Sequence, residues 1–299
     1  MPFTVSRLPS TQSPRILAIV GPTASGKSDL ALKLAKKFNG EVICADSRTI
    51  YKDMDLGTAK PTREQQVQVP HWGLDLIEPG EIFSAAQFKK YAQDKIKDIQ
   101  SRGRLPIMVG GTGLYIDGVL FNFSFIARPG LAMRGGLEKL STQQLQKIIR
   151  RYDYPMPENS RNRRHLIRTI ERQGQTGSKR TNLPEGVLLI GLLPSDDVLR
   201  RRINERAEAI FAKGVVEETK RLVKKYGEEA ISKTAGIVYR ICLQLIKGQF
   251  ARSEAKERFK KEDWQYARRQ KTWFKRNPHI QWFDSEKRAY ERISEVLST

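Results

Sequence analysis

Arg15-Ile16-Leu17-Ala18-Ile19-Val20-Gly21-Pro22-Thr23-Ala24-Ser25-Gly26-Lys27-Ser28 is a short apolar run that stops on a glycine and continues into the pattern G-x-x-x-x-G-K-[ST]. The run reads as a buried parallel strand. From Lys27 onward, Leu30, Leu34 and Phe38 recur at four-residue spacing, one face of a helix that Asn39-Gly40 closes. Strand, glycine-rich turn and helix in that order predict a diphosphate-binding loop made of Gly21, Pro22, Thr23, Ala24, Ser25, Gly26, Lys27 and Ser28. Glycines let backbone N–H groups turn inward around phosphate oxygens, and the helix N-terminus adds a favourable dipole. Lys27 supplies a positive charge, and Ser28 a hydroxyl ligand for Mg²⁺. A glycine-rich turn with no ligand would leave Lys27 unexplained.

The pattern around this loop sets the fold class. Glu41-Val42-Ile43-Cys44-Ala45 is a second strand, with Asp46 at its C-terminal end. Residues 47–80 are loop-rich, and a helix is expected from Ala85 to Arg102. Pro106-Ile107-Met108-Val109 is a third strand leading into Gly110-Gly111-Thr112-Gly113, and further strands are expected at Val187–Leu192 and Ile280–Phe283. This alternation predicts an α/β fold: a P-loop NTPase-like parallel sheet flanked by helices. Residues 121–182 interrupt it with 13 basic and 4 acidic residues, and with helices expected at Leu137–Arg151 and Arg163–Gln173. They read as a small inserted helical subdomain. After Pro194 the chain reads as helices Asp196–Tyr226, Ile237–Lys247 and Glu254–Arg276. The expected plan is a flexible tail over 1–14, core over 15–120, the insert over 121–182, and core completion with a basic helical part over 183–299.

Composition narrows the class. With 299 residues and 39% hydrophobic content, the chain can bury one large core and an appendage. No apolar run would span a bilayer, and the stretch before Arg15 lacks the apolar segment of a secretory signal. A cytoplasmic protein is expected. Cys44 and Cys242 lie far apart without metal spacing and read as core residues of a reducing compartment. The net charge of +21 is uneven: residues 1–120 hold 16 basic and 12 acidic residues, and 121–299 hold 38 and 21. A cationic part with an excess of +17 attracts polyanions through phosphate neutralisation, which favours nucleic acid over a merely solvated surface.

The loop alone names a diphosphate, not ATP hydrolysis. An ATPase usually ends a neighbouring strand in an acid that helps hold Mg²⁺. Here the third strand ends in Gly110-Gly111-Thr112, and the acid is Asp46. Ligands of open α/β sheets bind outside the carboxyl ends of the strands, so Asp46 and the loop are expected to share a cleft. A carboxylate facing a diphosphate is costly unless it works, as general base or as indirect metal ligand.

With these residues in hand, the chain resembles tRNA dimethylallyltransferases. The likeness runs through the loop, Ala45-Asp46-Ser47, Ile50 to Pro61, Pro70-His71 with Asp75, Gly110 to Tyr115, and Tyr266-Ala267-Arg268-Arg269-Gln270-Lys271-Thr272-Trp273-Phe274, and covers nearly the whole chain. It implies transfer of a dimethylallyl group from dimethylallyl diphosphate to N6 of the adenosine 3′ of a tRNA anticodon, with Mg²⁺ as cofactor. Asp46 is then the general base, while Thr23, Lys27, Arg206 and Mg²⁺ on Ser28 act on the leaving diphosphate. A base that must be unstacked is easiest to take from a single-stranded loop, so the partner is a tRNA anticodon stem-loop. Expected tRNA contacts are Asp46, Ser47, Arg48, Thr49 and Thr112. In the insert they are Arg134, Arg163, Arg164, His165, Leu166 and Ile167. In the C-terminal part they are Tyr239, Arg240, Arg268, Arg269, Gln270, Lys271, Trp273 and Lys275. Arg268, Arg269 and Lys271 mix cations with Trp273, a composition suited to RNA, although a tryptophan at that spacing also reads as core. Where the family usually has a Gly-Tyr pair, this chain has Val238-Tyr239. The enzyme is expected to act as a monomer.

Three other readings share the loop and are set against this one. A small-molecule P-loop kinase, binding ATP, explains Asp46 but not the basic C-terminal part. An adenylate prenyltransferase needs no basic RNA surface. A nucleotide-gated RNA-binding protein without transfer chemistry leaves Asp46 unexplained.

Overall fold

The computed structural model describes residues 15–125, 131–175, 180, 182–234 and 236–298; the tail expected at 1–14 lies outside them. In chain order the elements are β1 (Ile16–Val20), α1 (Lys27–Lys37), β2 (Gly40–Cys44), α2 (Arg63–Gln68), β3 (His71–Trp72), α3 (Ala85–Ser101), β4 (Leu105–Gly110) and α4 (Gly113–Leu120). Three helices follow, α5 (Leu131–Lys139), α6 (Thr142–Arg151) and α7 (Arg163–Glu171). The chain then continues through β5 (Val187–Leu192), α8 (Asp196–Ala212), α9 (Val215–Tyr226), α10 (Glu228–Thr234), α11 (Ile237–Ile246), α12 (Arg252–Lys275), β6 (Gln281–Phe283) and α13 (Glu286–Ser298).

The described residues form two compact units. The first runs to Phe121 and resumes at Asn182; it holds a six-stranded parallel sheet in the order β3-β2-β4-β1-β5-β6. Residues of β1, β2, β4 and β5 are almost all buried, which is why their sequences run apolar without alternation. Leu30 and Leu34 of α1 pack with Ala289 and Ile293 of α13 against Leu17, Ile19, Ile107 and Leu188 of the sheet. A second core gathers Phe211, Val215, Tyr239, Cys242 and Phe259 of the C-terminal helices around Ile50 and Met54. The second unit, 122–181, has its own small core of Leu137, Leu145, Ile149, Leu166 and Ile167.

Helix ends differ from the sequence expectation for local reasons. The helix expected at Leu137–Arg151 is two helices. Ser141 accepts the N–H of Gln144 while the Gln144 side chain accepts the N–H of Ser141, a reciprocal cap that starts α6 afresh. The helix expected at Asp196–Tyr226 also breaks in two, because Gly214 at φ 93 turns the chain into a left-handed conformation before α9. Pattern reading passed over β3, α2, α4, α10 and α13. The first two are short pieces within the loop-rich stretch.

Candidate active site

The loop after β1 sits at a central strand, between β4 and β5 in the sheet. Gly26 takes φ 95, a conformation that carries no steric cost only for glycine, and α1 begins at the next residue. Backbone N–H groups and the α1 N-terminus thus face the carboxyl edge of the sheet. A cleft of about 550 Å³ opens there, lined by Thr23, Lys27, Ser28, Asp46, Arg206 and Asp263 among others. The predicted loop and Asp46 therefore share one cavity, although β4 lies between the strands that carry them.

Long-range contacts hold the loop. The Thr23 N–H donates to Gln270 Oε1 at 2.8 Å, and Gln270 Nε2 donates to the Gly111 carbonyl at 3.0 Å. Arg206 Nη1 donates to Thr23 Oγ1 at 2.5 Å and lies 3.2 Å from Asp263 Oδ2. Arg202 Nη1 donates to the carbonyls of Ala24 at 3.3 Å and Ser25 at 3.1 Å. Lys27 Nζ donates to the Pro22 carbonyl at 3.1 Å. Burial pushes the Lys27 ammonium down to about 8; Asp46 and Asp263 oppose that shift, and Arg206 adds to it. Burial pushes the Asp263 carboxyl up, against the pull of Arg206 and Lys27. Lys27, Arg206, Asp46 and Asp263 thus act on one another within one cleft.

Asp46 sits in a tight turn: its Oδ1 accepts the Arg48 N–H at 2.8 Å. That bond orients the carboxylate while its other oxygen takes no part in the turn. Thr112 Oγ1 accepts the Ser47 N–H at 3.0 Å, tying this turn to the end of β4. Arg48 Nη1 donates to the Thr234 carbonyl at 2.8 Å, and Thr49 is buried. Tyr266, also lining the cleft, has its hydroxyl pushed up to about 12 by burial.

Several expected tRNA contacts need correction. Tyr239 is 0% exposed; its hydroxyl donates to Glu218 Oε1 at 2.5 Å and accepts the Gly57 N–H at 3.1 Å. It is a buried strut beneath the Leu56-Gly57 turn, whose N–H groups Glu218 also accepts. Gln270 is buried and spends its amide on the loop and Gly111. Leu166 and Ile167 belong to the core of the second unit, so their side chains cannot reach a ligand. Arg134 differs from these buried residues: it forms ion pairs with Glu138 and the buried Glu171 but stays partly exposed, so its place at the surface stands. Arg240 and Lys271 are not overturned: Arg240 lines the cleft and stays exposed while pairing with Glu262, and Lys271 stays partly exposed while pairing with Asp196 at 2.7 Å.

Other expected contacts lie at the surface. Arg268, Arg269 and Lys275 are exposed on α12, and Arg163, Arg164 and His165 are exposed on α7. Trp273 is 37% exposed and donates through Nε1 to Asp117 at 2.9 Å. Its ring lies so close to Gly113 that a Cβ there would fall 2.1 Å from it, so α4 can start only with glycine. Trp273 is thus neither fully core nor fully open.

Sequence reasoning missed Asp263, Glu218 and Lys60. Lys60 is almost wholly buried and bonds Asp55 at 2.7 Å, Asp75 at 2.6 Å and the Tyr51 carbonyl at 2.7 Å. Asp55, Lys60 and Asp75 all fall in the motifs noted above, so spacing offered a signal there. Asp263 and Glu218 lie in charged helical runs that look solvated.

The family profile described as IPP transferase matches residues 49–277. A tRNA dimethylallyltransferase of Staphylococcus epidermidis is 36% identical over 96% of this chain and 91% of its own length. The crystal structure of a full-length tRNA isopentenylpyrophosphate transferase from Bacillus halodurans matches with a TM-score of 0.71 and 34% identity, over 95% of this chain and 96% of that one. A eukaryotic dimethylallyltransferase acting on tRNA shares the fold with a TM-score of 0.76 at 24% identity, over 95% of this chain and 79% of that one.

Proposed function

We infer the function from one premise: this chain belongs to the IPP transferase family, and it is a tRNA dimethylallyltransferase, a prenyl transferase with tRNA as substrate. The donor is dimethylallyl diphosphate, and the acceptor is N6 of the adenosine 3′ of the anticodon. The observation that carries this reading is the cleft in which the loop, Lys27 and Arg206 face Asp46.

The chemistry follows from those groups. The diphosphate rests on backbone N–H groups at the start of α1, beside Lys27 and Arg206. Asp46 accepts a proton from N6, whose lone pair is otherwise delocalised into the adenine ring. N6 then forms a bond to C1 of the prenyl group. The C1–O bond breaks, and its electron pair leaves with pyrophosphate. Thr23, Lys27 and Arg206 meet the negative charge that grows on that oxygen.

Mg²⁺ fits the residues present as an ion held largely by the substrate. Among the described residues no group of three or more His, Cys, Asp or Glu stands together to hold a metal. Mg²⁺ beside phosphates commonly takes one or two protein oxygens, phosphate oxygens and water. The Ser28 hydroxyl, which lines the cleft, would supply a protein oxygen, and the ion would supply positive charge against the leaving group.

The exposed Arg268, Arg269 and Lys275 of α12, and Arg163, Arg164 and His165 of α7, hold tRNA phosphates in this reading. The working unit in this reading is a monomer. No helix among the described residues is long and apolar enough to cross a membrane, and the place of action is the cytoplasm, where tRNA is modified.

The test is transfer itself. Protein and Mg²⁺ are given labelled dimethylallyl diphosphate or labelled ATP, with unmodified tRNA or AMP as acceptor. Label on tRNA from the prenyl donor is expected. Label on AMP instead would make the protein an adenylate prenyltransferase, and phosphate transfer from ATP would make it a kinase.

A further inference from the structure

Asp263 lies on α12, far in sequence from the loop, yet its buried carboxylate reaches Thr23 through one guanidinium. Arg206 Nη1 lies 3.2 Å from Asp263 Oδ2 and 2.5 Å from Thr23 Oγ1. We propose that Asp263 is a positioning residue for the transfer step: it holds Arg206 against Thr23 Oγ1, so that the Thr23 hydroxyl proton is turned toward the leaving diphosphate. The proposal rests on the reading of this cleft as a prenyl diphosphate site.

A hydroxyl has one proton and two lone pairs. Because Thr23 Oγ1 accepts from Arg206, its own proton remains available to donate elsewhere. Donation to the oxygen that gains charge as C1–O breaks is worth most if the hydroxyl is already oriented. The backbone of Thr23 is fixed from the same helix, since Gln270 Oε1 accepts its N–H. Asp263, Ala267 and Gln270 are all buried and fall at i, i+4 and i+7, one face of α12. One helix therefore fixes both the N–H and, through Arg206, the hydroxyl of Thr23.

Arg206 needs such a holder. It shares a buried cleft with Lys27, a like charge that adds to the lowering of the Lys27 pKa. Its Nε is buried and makes no hydrogen bond, so Nη1 carries the ties that orient the guanidinium. Asp263 supplies both the compensating charge and the direction. Removing one partner of a buried ion pair leaves the other uncompensated, and Arg206 would then move toward solvent.

The test is a double-mutant cycle read by single-turnover transfer from dimethylallyl diphosphate to tRNA, using wild type, Asp263→Asn, Arg206→Ala and the double variant. Asp263→Asn should lower the rate about tenfold or more and leave the KM for tRNA unchanged. In the Arg206→Ala background the same change should cost less than about twofold. Added guanidinium ion should restore activity to Arg206→Ala while Asp263 is present, and not to the double variant. An equal cost of Asp263→Asn with and without Arg206, or no cost at all, would overturn the proposal. If melting shows that either variant is unfolded, Asp263→Ser and Arg206→Gln carry the same cycle. A wild type that transfers no prenyl group contradicts the function reading; an active wild type without coupling contradicts only the role of Asp263.

Discussion

Gln270 accepts the Thr23 N–H through Oε1 at 2.8 Å, across 247 residues of sequence, and its amide nitrogen reaches the Gly111 carbonyl at 3.0 Å. One side chain thus joins the diphosphate loop to the end of β4. Gln270→Ala would leave a buried N–H and a buried carbonyl without partners, at a cost of about 1–3 kcal/mol for each unsatisfied group. Urea denaturation should show a lower midpoint, and the KM for the prenyl donor should rise as the loop loosens. An unchanged midpoint would mean that water replaces both contacts.

Asp46 is the group on which proton removal rests. Asp46→Asn keeps an acceptor for the Arg48 N–H, so the turn is preserved while basicity is lost. Transfer should fall by roughly 10²–10⁴-fold, the usual contribution of a positioned general base. Filter binding of tRNA should stay within about twofold, since the phosphate contacts that dominate affinity are untouched. A parallel loss of tRNA affinity would assign Asp46 to binding.

Lys27 gives the cleft its pH dependence. Its pKa is about 8 in the folded protein against an ordinary 10.5, because burial disfavours the ammonium. Between about 8 and 10.5 the folded chain binds fewer protons than the unfolded one, so this group makes stability rise with pH across that window. Diphosphate favours the ammonium. Pyrophosphate binding near pH 8 should therefore take up protons, and affinity should fall as pH rises through about 8. Calorimetry in buffers of different ionisation heat measures the uptake, and Lys27→Met should remove the protein's share of it. Equal proton uptake in the variant would place the titration on the ligand alone.

Tyr239 separates burial from contact. Tyr239→Phe removes the bonds to Glu218 and Gly57 without changing the ring. Stability should fall by about 1–3 kcal/mol, because the Glu218 carboxylate loses a buried donor. Affinity for tRNA, measured on folded protein, should not change. A selective loss of tRNA binding would restore Tyr239 as an RNA contact.

These residues show what a single sequence carries. The loop, Asp46 and five of the strands were legible because each is written locally, as an apolar run, a glycine pattern or an acid at a strand end. The cap at Ser141 was not read, and one helix was expected across it, although Ser141 and Gln144 have the spacing of a reciprocal cap. Tyr239 misled because it was placed at tRNA by resemblance alone, and a tyrosine reads alike whether it faces RNA or a core. Asp263 and Glu218 stayed hidden because their partners lie 57 and 162 residues away, as Arg206 and Leu56. A charged run on a helix does not say which of its members turns inward.

The central claim is that the loop grips the diphosphate of a prenyl donor rather than ATP. Direct binding to wild type and Lys27→Met, by calorimetry with Mg²⁺ present, tests it most plainly. Dimethylallyl diphosphate and pyrophosphate should compete for one site per chain, bind wild type more tightly than ATP does, and bind Lys27→Met measurably but more weakly. Tighter, Lys27-dependent binding of ATP, with no measurable binding of the prenyl diphosphate, would contradict it.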